Sequence, residues 1–218
     1  RASYSRTVSR PDFRELSPFD FNNVLGGFVT AGNPNLKRAL INNYDARWEW
    51  FPGGNQLVAA SFFAKTFTNP IEQTIVPSND LRQTYVNAKG ARNVGLELEF
   101  RRSLATFTPR LREFGVSANF TLVDSNIQIN PEDATLITSP SRPLLGQSRY
   151  ISNFIFQWAR PKWRSDAKFF ANYVSRRVSD VGTFKLPDIY QEGNTFLDFV
   201  YQYTVGEKGK WNIRFEAE

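Results

Sequence analysis

Residues 94–101 constrain the fold more than any other stretch. Val94, Leu96, Leu98 and Phe100 stand at every second position, and Gly95, Glu97, Glu99 and Arg101 fill the places between. Side chains on a strand alternate faces, so the segment has one apolar face and one charged face. A helix would need a period near 3.6, which is absent here. The pattern recurs. Tyr44, Ala46, Trp48 and Trp50 alternate with Asp45, Arg47 and Glu49, and Phe114, Val116, Ala118, Phe120 and Leu122 keep the same spacing. Leu197, Phe199, Tyr201 and Tyr203 alternate with Asp198, Val200 and Gln202, and Trp211, Ile213 and Phe215 with Asn212, Arg214 and Glu216. Further strands read at residues 2–8, 57–67, 150–159 and 167–174 bring the expectation to about nine antiparallel strands.

The connections add a second constraint. Long polar stretches at residues 12–38, 68–88, 124–147 and 175–193 hold Gly, Pro and clustered polar breakers. Short turns separate them, at residues 52–55, 105–112, 161–165 and 206–210. Tight turns on one side and long loops on the other mark an outer-membrane barrel. A soluble sandwich also alternates along its strands but scatters its loop lengths. No apolar run approaches the roughly 20 residues of a transmembrane helix, and this leaves a barrel open because alternating strands give a weak hydropathy signal. Tyr4, Trp50, Trp158, Trp163, Tyr203 and Trp211 lie near strand ends, where interfacial aromatic girdles stand. The expected fold class is therefore all-β: an antiparallel transmembrane β-barrel, with about nine strands of a larger barrel. A soluble β-rich binding module is the competing reading, with the Val94–Leu96–Leu98–Phe100 face buried against a second sheet.

Composition narrows the chemistry. The chain contains no His and no Cys, so it offers no imidazole base, no thiol nucleophile and no zinc or iron site of the usual nitrogen and sulfur type. No catalytic residues, cofactor or metal ligands are expected, and the chain does not read as an enzyme. The 27 Lys and Arg outnumber 21 Asp and Glu, but they are interspersed with acids rather than gathered in a stripe, so nucleic acid is not an expected partner. The chain begins at Arg1 and stops within an alternating segment, which reads as a piece of a longer polypeptide.

Several motifs carry a family resemblance. Ser5-Arg6-Thr7-Val8-Ser9-Arg10-Pro11, Leu16-Ser17-Pro18 and Gly32-Asn33-Pro34-Asn35-Leu36-Lys37 precede Asn43-Tyr44-Asp45. Phe67-Thr68-Asn69-Pro70-Ile71 and the run from Asn87 to Glu99 follow in order. These resemble the C-terminal barrel region of TonB-dependent outer-membrane receptors. The motifs cover residues 1–104, and strand pattern alone extends the likeness to residue 218. The resemblance implies that residues 1–218 are the C-terminal portion of a barrel of about 22 strands. It also implies that the N-terminal plug and the last strand lie outside this sequence. Such a receptor captures a scarce nutrient on its long loops and imports it with energy from the TonB complex, which acts on the plug. The implied partners are TonB, outer-membrane lipid and lipopolysaccharide, and a small ligand such as a metal chelate or glycan. The bacterial outer membrane is the implied location. A passive porin-like or structural barrel is the alternative within the same architecture.

Two groups of residues are candidates for function. Asp45, Arg47, Glu49, Glu97, Glu99, Arg101, Asp198 and Arg214 occupy the charged strand face and are expected to point into the lumen. Charges so placed ordinarily form solvated cross-strand pairs of well under about 1 kcal/mol each. Arg142, Arg149, Arg176, Arg177 and Lys185 lie near the expected outer rim, where Arg forks suit lipopolysaccharide phosphates. Asp124, Asn126, Glu132 and Asp133 supply oxygen ligands without the spacing of a calcium loop and read as polar loop.

Overall fold

The computed structural model describes residues 1–22, 29–54, 56–76, 82–132, 137–206 and 211–218. Nine long strands form one antiparallel wall: β1 (Ala2–Ser9), β2 (Ala39–Trp50), β3 (Leu57–Thr68), β4 (Gly90–Ser103), β5 (Phe114–Gln128), β6 (Tyr150–Arg160), β7 (Ser165–Val174), β8 (Asn194–Val205) and β9 (Trp211–Ala217). Each pairs with its sequence neighbour, in the order of the chain. Among the described residues β1 pairs only with β2 and β9 only with β8, so the wall is an arc with two open edges. A 12-residue strand such as β2 or β3 rises about 40 Å, enough to cross an apolar band of about 25 Å at a tilt of about 40°.

Register carries the alternation across the whole wall. Trp50, Val58, Phe100, Ala118, Phe154, Ala171 and Leu197 stand opposite one another in one row through seven strands. The neighbouring row on the other face runs Glu49, Ala59, Glu99, Asn119, Asn153, Asn172 and Phe196. One face is therefore aromatic and aliphatic and the other predominantly polar. Among the described residues no second sheet covers the apolar face. Trp48 is 59% exposed, Leu98 44% and Phe215 58%, and Tyr4, Trp50, Phe154 and Ile213 are also exposed. A continuous apolar surface of this extent is what a membrane-facing wall presents, and it leaves no place for the second layer of a soluble sandwich.

Most strands extend past their expected ends. β5 continues through Asp124–Gln128, which the breakers downstream had assigned to the third long connection. The extension is held by the short strand Ser141–Arg142, which pairs with Gln128 and Ile127. On the other side it pairs with Gly90–Asn93 of β4. The short turns fall where expected at 51–56, 104–113 and 161–164, while Asn55 and residues 207–210 of the last turn lie outside the described residues. At 161–164 the chain end of the wall is pinned by aromatic contacts. Trp158 and Trp163 meet edge to face at 6.2 Å, and the Arg160 guanidinium stacks 3.5 Å from the Trp163 ring centre. Trp158 Nε1 donates to Glu113 at 3.3 Å.

Gly95 shows how tightly the polar face is filled. It stands opposite Phe63 and Val123, and a Cβ there would collide with the Phe63 ring and lie 2.7 Å from the Leu122 carbonyl oxygen. Gly95→Val is expected to destabilise the wall by about 1–3 kcal/mol, because the backbone oxygen cannot move aside. Urea unfolding of the full-length protein in detergent micelles checks this. An unchanged midpoint would mean that β4 and β5 absorb the side chain without strain.

Candidate functional site

The buried core of the described residues lies in the long connections, not beneath the wall. Residues 10–38 and 69–89 cooperate in a four-stranded sheet of Asp20–Phe21, Val29–Ala31, Arg82–Asn87 and Ile71–Val76, in that spatial order. Val29–Ala31 runs parallel to Arg82–Asn87, and Ile71–Val76 closes against Arg82–Asn87 as a hairpin. The motif at Gly32–Lys37 is the joint between the two connections. Asn33 donates to the Tyr85 carbonyl at 2.9 Å and accepts from the Asn35 amide at 3.0 Å. Asn87 accepts from the Lys37 amide at 2.7 Å and donates to the carbonyls of Lys37 and Asn69 at 2.8 and 2.9 Å. A Cβ on Gly32 would lie 2.6 Å from the Arg14 oxygen and 2.7 Å from the Ser17 nitrogen, so only glycine lets residues 14–17 pack this closely. Asn87→Ala leaves three polar partners to find water. It is expected to lower local stability by about 1–3 kcal/mol. Faster amide exchange at Lys37, with the amides of β7 unchanged, is the signature to look for.

Ile75, Val86, Ala88, Ile127, Ile129, Ile137 and Val181 form the core of this loop package, with Ala91, Leu144 and Leu145 packed on it. Ile127 shares a strand face with Val123 and Ser125, which register places on the polar face of the wall. The package therefore covers the long-loop end of that face and leaves the apolar face bare. Inside it, Glu72 and Arg142 form a buried ion pair at 3.5 Å, Arg142 being 3% exposed. Glu72 also accepts from the amides of Gln73 at 3.1 Å and Leu145 at 3.4 Å. Arg142 Nη1 donates to the Pro143 carbonyl at 3.1 Å, while its Nε and Nη2 meet no partner among the described residues. Burial pushes the Glu72 carboxyl above the ordinary carboxylate range, because desolvation outweighs the pull of Arg142 and of the two amides.

The eight charged-face candidates share one face by register, but contact unites only four of them. Arg47 Nε and Nη2 reach Glu49 and Glu99 at 2.8 Å each, and Arg47 Nη1 donates to Ser61 at 2.9 Å. Arg101 lies 3.8 Å from Glu99. Glu97 stands one row nearer the loops, opposite Ser61 and Thr121, and Asp45 lies a row beyond, opposite Phe63. Asp198 is on β8, opposite Phe170. Arg214 is on β9 and pairs with Glu216 instead. These pairs, half-buried around Arg47 and exposed at Arg214, order side chains on the polar face and are screened by solvent.

The five rim candidates separate. Arg142 is not a rim charge: the short strand Ser141–Arg142 turns it into the loop core, where Glu72 neutralises it. Lys185 is exposed in the connection between β7 and β8. Arg149, Arg176 and Arg177 converge on one cavity of ≈ 350 Å³, which also takes in Asp124, Tyr150 and Tyr190. Arg149 lies 5.5 Å from the Tyr150 ring centre and Arg176 5.1 Å from that of Tyr190, and Arg177 Nε donates to Gln191 at 2.9 Å. Of the four oxygen-bearing loop residues, Asp124 faces Arg92 at 3.8 Å and Asn126 donates to Ser141 at 3.0 Å. Glu132 is exposed, and Asp133 lies outside the described residues.

The hairpin Ile71–Val76 with Arg82–Asn87 escapes period-two reading because Glu72, Thr74 and Ile75 are all buried, leaving both faces covered. Its signal was the β-branched content of residues 71–76 and 84–86 on either side of a polar link, Pro77–Asp80, which itself lies outside the described residues.

The model of the TonB-dependent receptor-like β-barrel matches residues 1–218. No curated protein sequence matches the chain significantly. Among solved structures, the siderophore receptor PirA of Pseudomonas aeruginosa superposes with a TM-score of 0.61 at 17% identity, over 94% of this chain and 33% of that one. The copper transporter OprC gives 0.64 at 15%, over 94% and 29%. A mutant of the ferric enterobactin receptor PfeA of P. aeruginosa, in complex with enterobactin, gives 0.62 at 15%, over 94% and 31%. At these identities the likeness shows the fold, and the chain spans about a third of each of those proteins. Matched from its first residue to its last, with one apolar and one polar wall face, the chain belongs to the TonB-dependent receptor β-barrel family of the outer membrane.

Proposed function

We propose that the full polypeptide is an active importer that captures a scarce nutrient on its long loops and passes it through the barrel with energy from TonB. The observation that carries this reading is the position of the loop package, folded across one end of the polar face and leaving the apolar face bare. A passive pore has no need of a prefolded cover over its lumen. The apolar face meets outer-membrane lipid, with lipopolysaccharide around its outer end. Asp45, Arg47, Glu49, Glu97, Glu99, Arg101, Asp198 and Arg214 face the lumen, and the wall continues beyond the open edges of β1 and β9. A plug and a closing strand, supplied by other parts of the polypeptide, complete the machine. The ligand is a metal chelate. Solved neighbours named as a siderophore receptor and a ferric enterobactin receptor support this class.

Uptake of radiolabelled iron, offered as a panel of catecholate and hydroxamate chelates, tests the reading in cells expressing the full-length protein. Accumulation should require both the receptor and TonB. Equal accumulation in a host lacking TonB would overturn the energised reading in favour of passive passage.

A further inference from the structure

The short-turn end of the polar face carries a cavity of ≈ 760 Å³, at the opposite end of the wall from the loop package. Register builds its floor. Arg101 stands opposite Ser117, Ser103 opposite Gly115, and Gly115 opposite Gln157, all with the parity of Glu99 and Asn119. Gly115 puts no side chain at the centre of this floor. A Cβ there would lie 3.7 Å from the Arg102 oxygen, an ordinary contact, so the glycine keeps space open rather than relieving a close approach. The turns at 104–113 and 161–164 flank the cavity and bring Arg112 and Lys162 to its edge. Four cations and a single acid line it. The acid, Glu113, is engaged elsewhere: its carboxylate accepts from Trp158 Nε1 at 3.3 Å and lies 3.5 Å from Arg160 Nε, and both partners have the parity of the apolar face. Arg101 shares Glu99 with Arg47, at 3.8 and 2.8 Å. Arg102, Arg112 and Lys162 meet no carboxylate among the described residues, so the cavity is net positive.

We infer that this cavity is an exit-side binding site for a carboxylate-rich metal chelate. Guanidinium forks match carboxylate oxygens in geometry, and Ser117 and Gln157 add neutral donors on the same face. The cations are spread rather than focused: Arg101 rises from the wall, while Arg112 and Lys162 come from two separate turns. A ligand with several spaced anionic groups satisfies them together, and a single compact anion does not. The volume lies within the roughly 300–1,000 Å³ of small-molecule sites, and a concave wall of one sign of charge concentrates such an anion. Its place completes the picture. The loop package stands at one end of the polar face and this cavity at the other, where a solute crossing the lumen leaves the wall. That the anion is cargo rests on the import reading above, whereas the preference for spaced anionic groups rests on the cavity alone.

Calorimetric titration of the full-length protein, in a non-ionic detergent, with citrate, ferric citrate and inorganic phosphate tests the site. Citrate and its ferric complex are each expected to bind at least about tenfold tighter than phosphate. R112Q/K162Q is expected to lose at least about tenfold of that affinity while keeping its β circular dichroism. Unchanged affinity in R112Q/K162Q would overturn the site. Phosphate binding as tightly as citrate would overturn the preference for spaced anionic groups. Failure of the wild-type protein to bind either citrate probe would mean that the rest of the polypeptide fills the cavity, and the inference would fall. If the double variant does not fold, K162Q alone should still weaken citrate binding about threefold or more, and no change there would be equally fatal. Iron uptake is scored separately: equal uptake in a host lacking TonB, with citrate binding intact, removes the transit role and leaves the anion site standing.

Discussion

Arg142→Ala is expected to lower the stability of the loop package by about 3–5 kcal/mol at neutral pH, by leaving the Glu72 carboxylate buried without its counter-charge. The loss should shrink on acidification. Burial already holds the Glu72 carboxyl above its ordinary value of 4.5, and removing Arg142 raises it further, so a proton relieves the stranded charge. In the intact protein the sign follows from the same shift. A carboxyl whose folded value is raised contributes stability that is fully present below its unfolded value and lost as pH rises through the folded one. Glu72→Gln strands a guanidinium that cannot deprotonate, so its cost should stay flat across the same pH range. Glu72→Leu with Arg142→Met removes both charges and is expected to be near neutral or stabilising. Amide exchange in Ile71–Val76 and Arg82–Asn87, measured between about pH 5 and 8, reads all four outcomes. A loss in Arg142→Ala that did not depend on pH would mean that Glu72 is solvated in the folded protein.

Leu98→Arg is expected to destabilise the wall by about 2–4 kcal/mol in lipid vesicles, while Glu97→Arg one position earlier should change stability by less than about 0.5 kcal/mol. Leu98 shares a row with Trp48, Ala60 and Phe120 on the bare apolar face. Glu97 shares its row with Arg47, Ser61 and Thr121. An arginine at 98 must enter hydrocarbon, whereas one at 97 meets a polar face. Denaturant titration of both variants of the full-length protein decides the matter. Equal costs at the two positions would defeat the assignment of a lipid face to one side of the wall.

The loop package explains where the stability of such an arc comes from. A membrane wall needs no core of its own, because lipid replaces the second layer and closed ladders satisfy the backbone. The connections have no such help in water, and they solve the problem by folding on one another. Asn33 and Asn87 tie residues 33–37 to the hairpin, and Ile75, Val86 and Ile127 exclude water beneath it. Connections folded in advance lose less conformational entropy when they are ordered further.

Period-two alternation in five segments, with turn residues bounding four more, sufficed to find the nine strands and the two wall faces, because a residue's face depends only on its parity along the strand. Alternating long and short connections favoured a barrel over a sandwich, since loop length is visible in the chain itself, and the exposed apolar face of the wall decided between them. What lies in the loops was not legible in this way. Glu72 and Arg142 are 70 residues apart and carry no local sign of their pairing; only the packing of two connections buries them together. The same holds for the meeting of Arg149, Arg176 and Arg177 and for the docking of Gly32–Lys37 against Asn87. Parity is a property of one strand and survives without its neighbours, whereas a loop contact is fixed by the closure of several strands at once, so only the tertiary structure decided it.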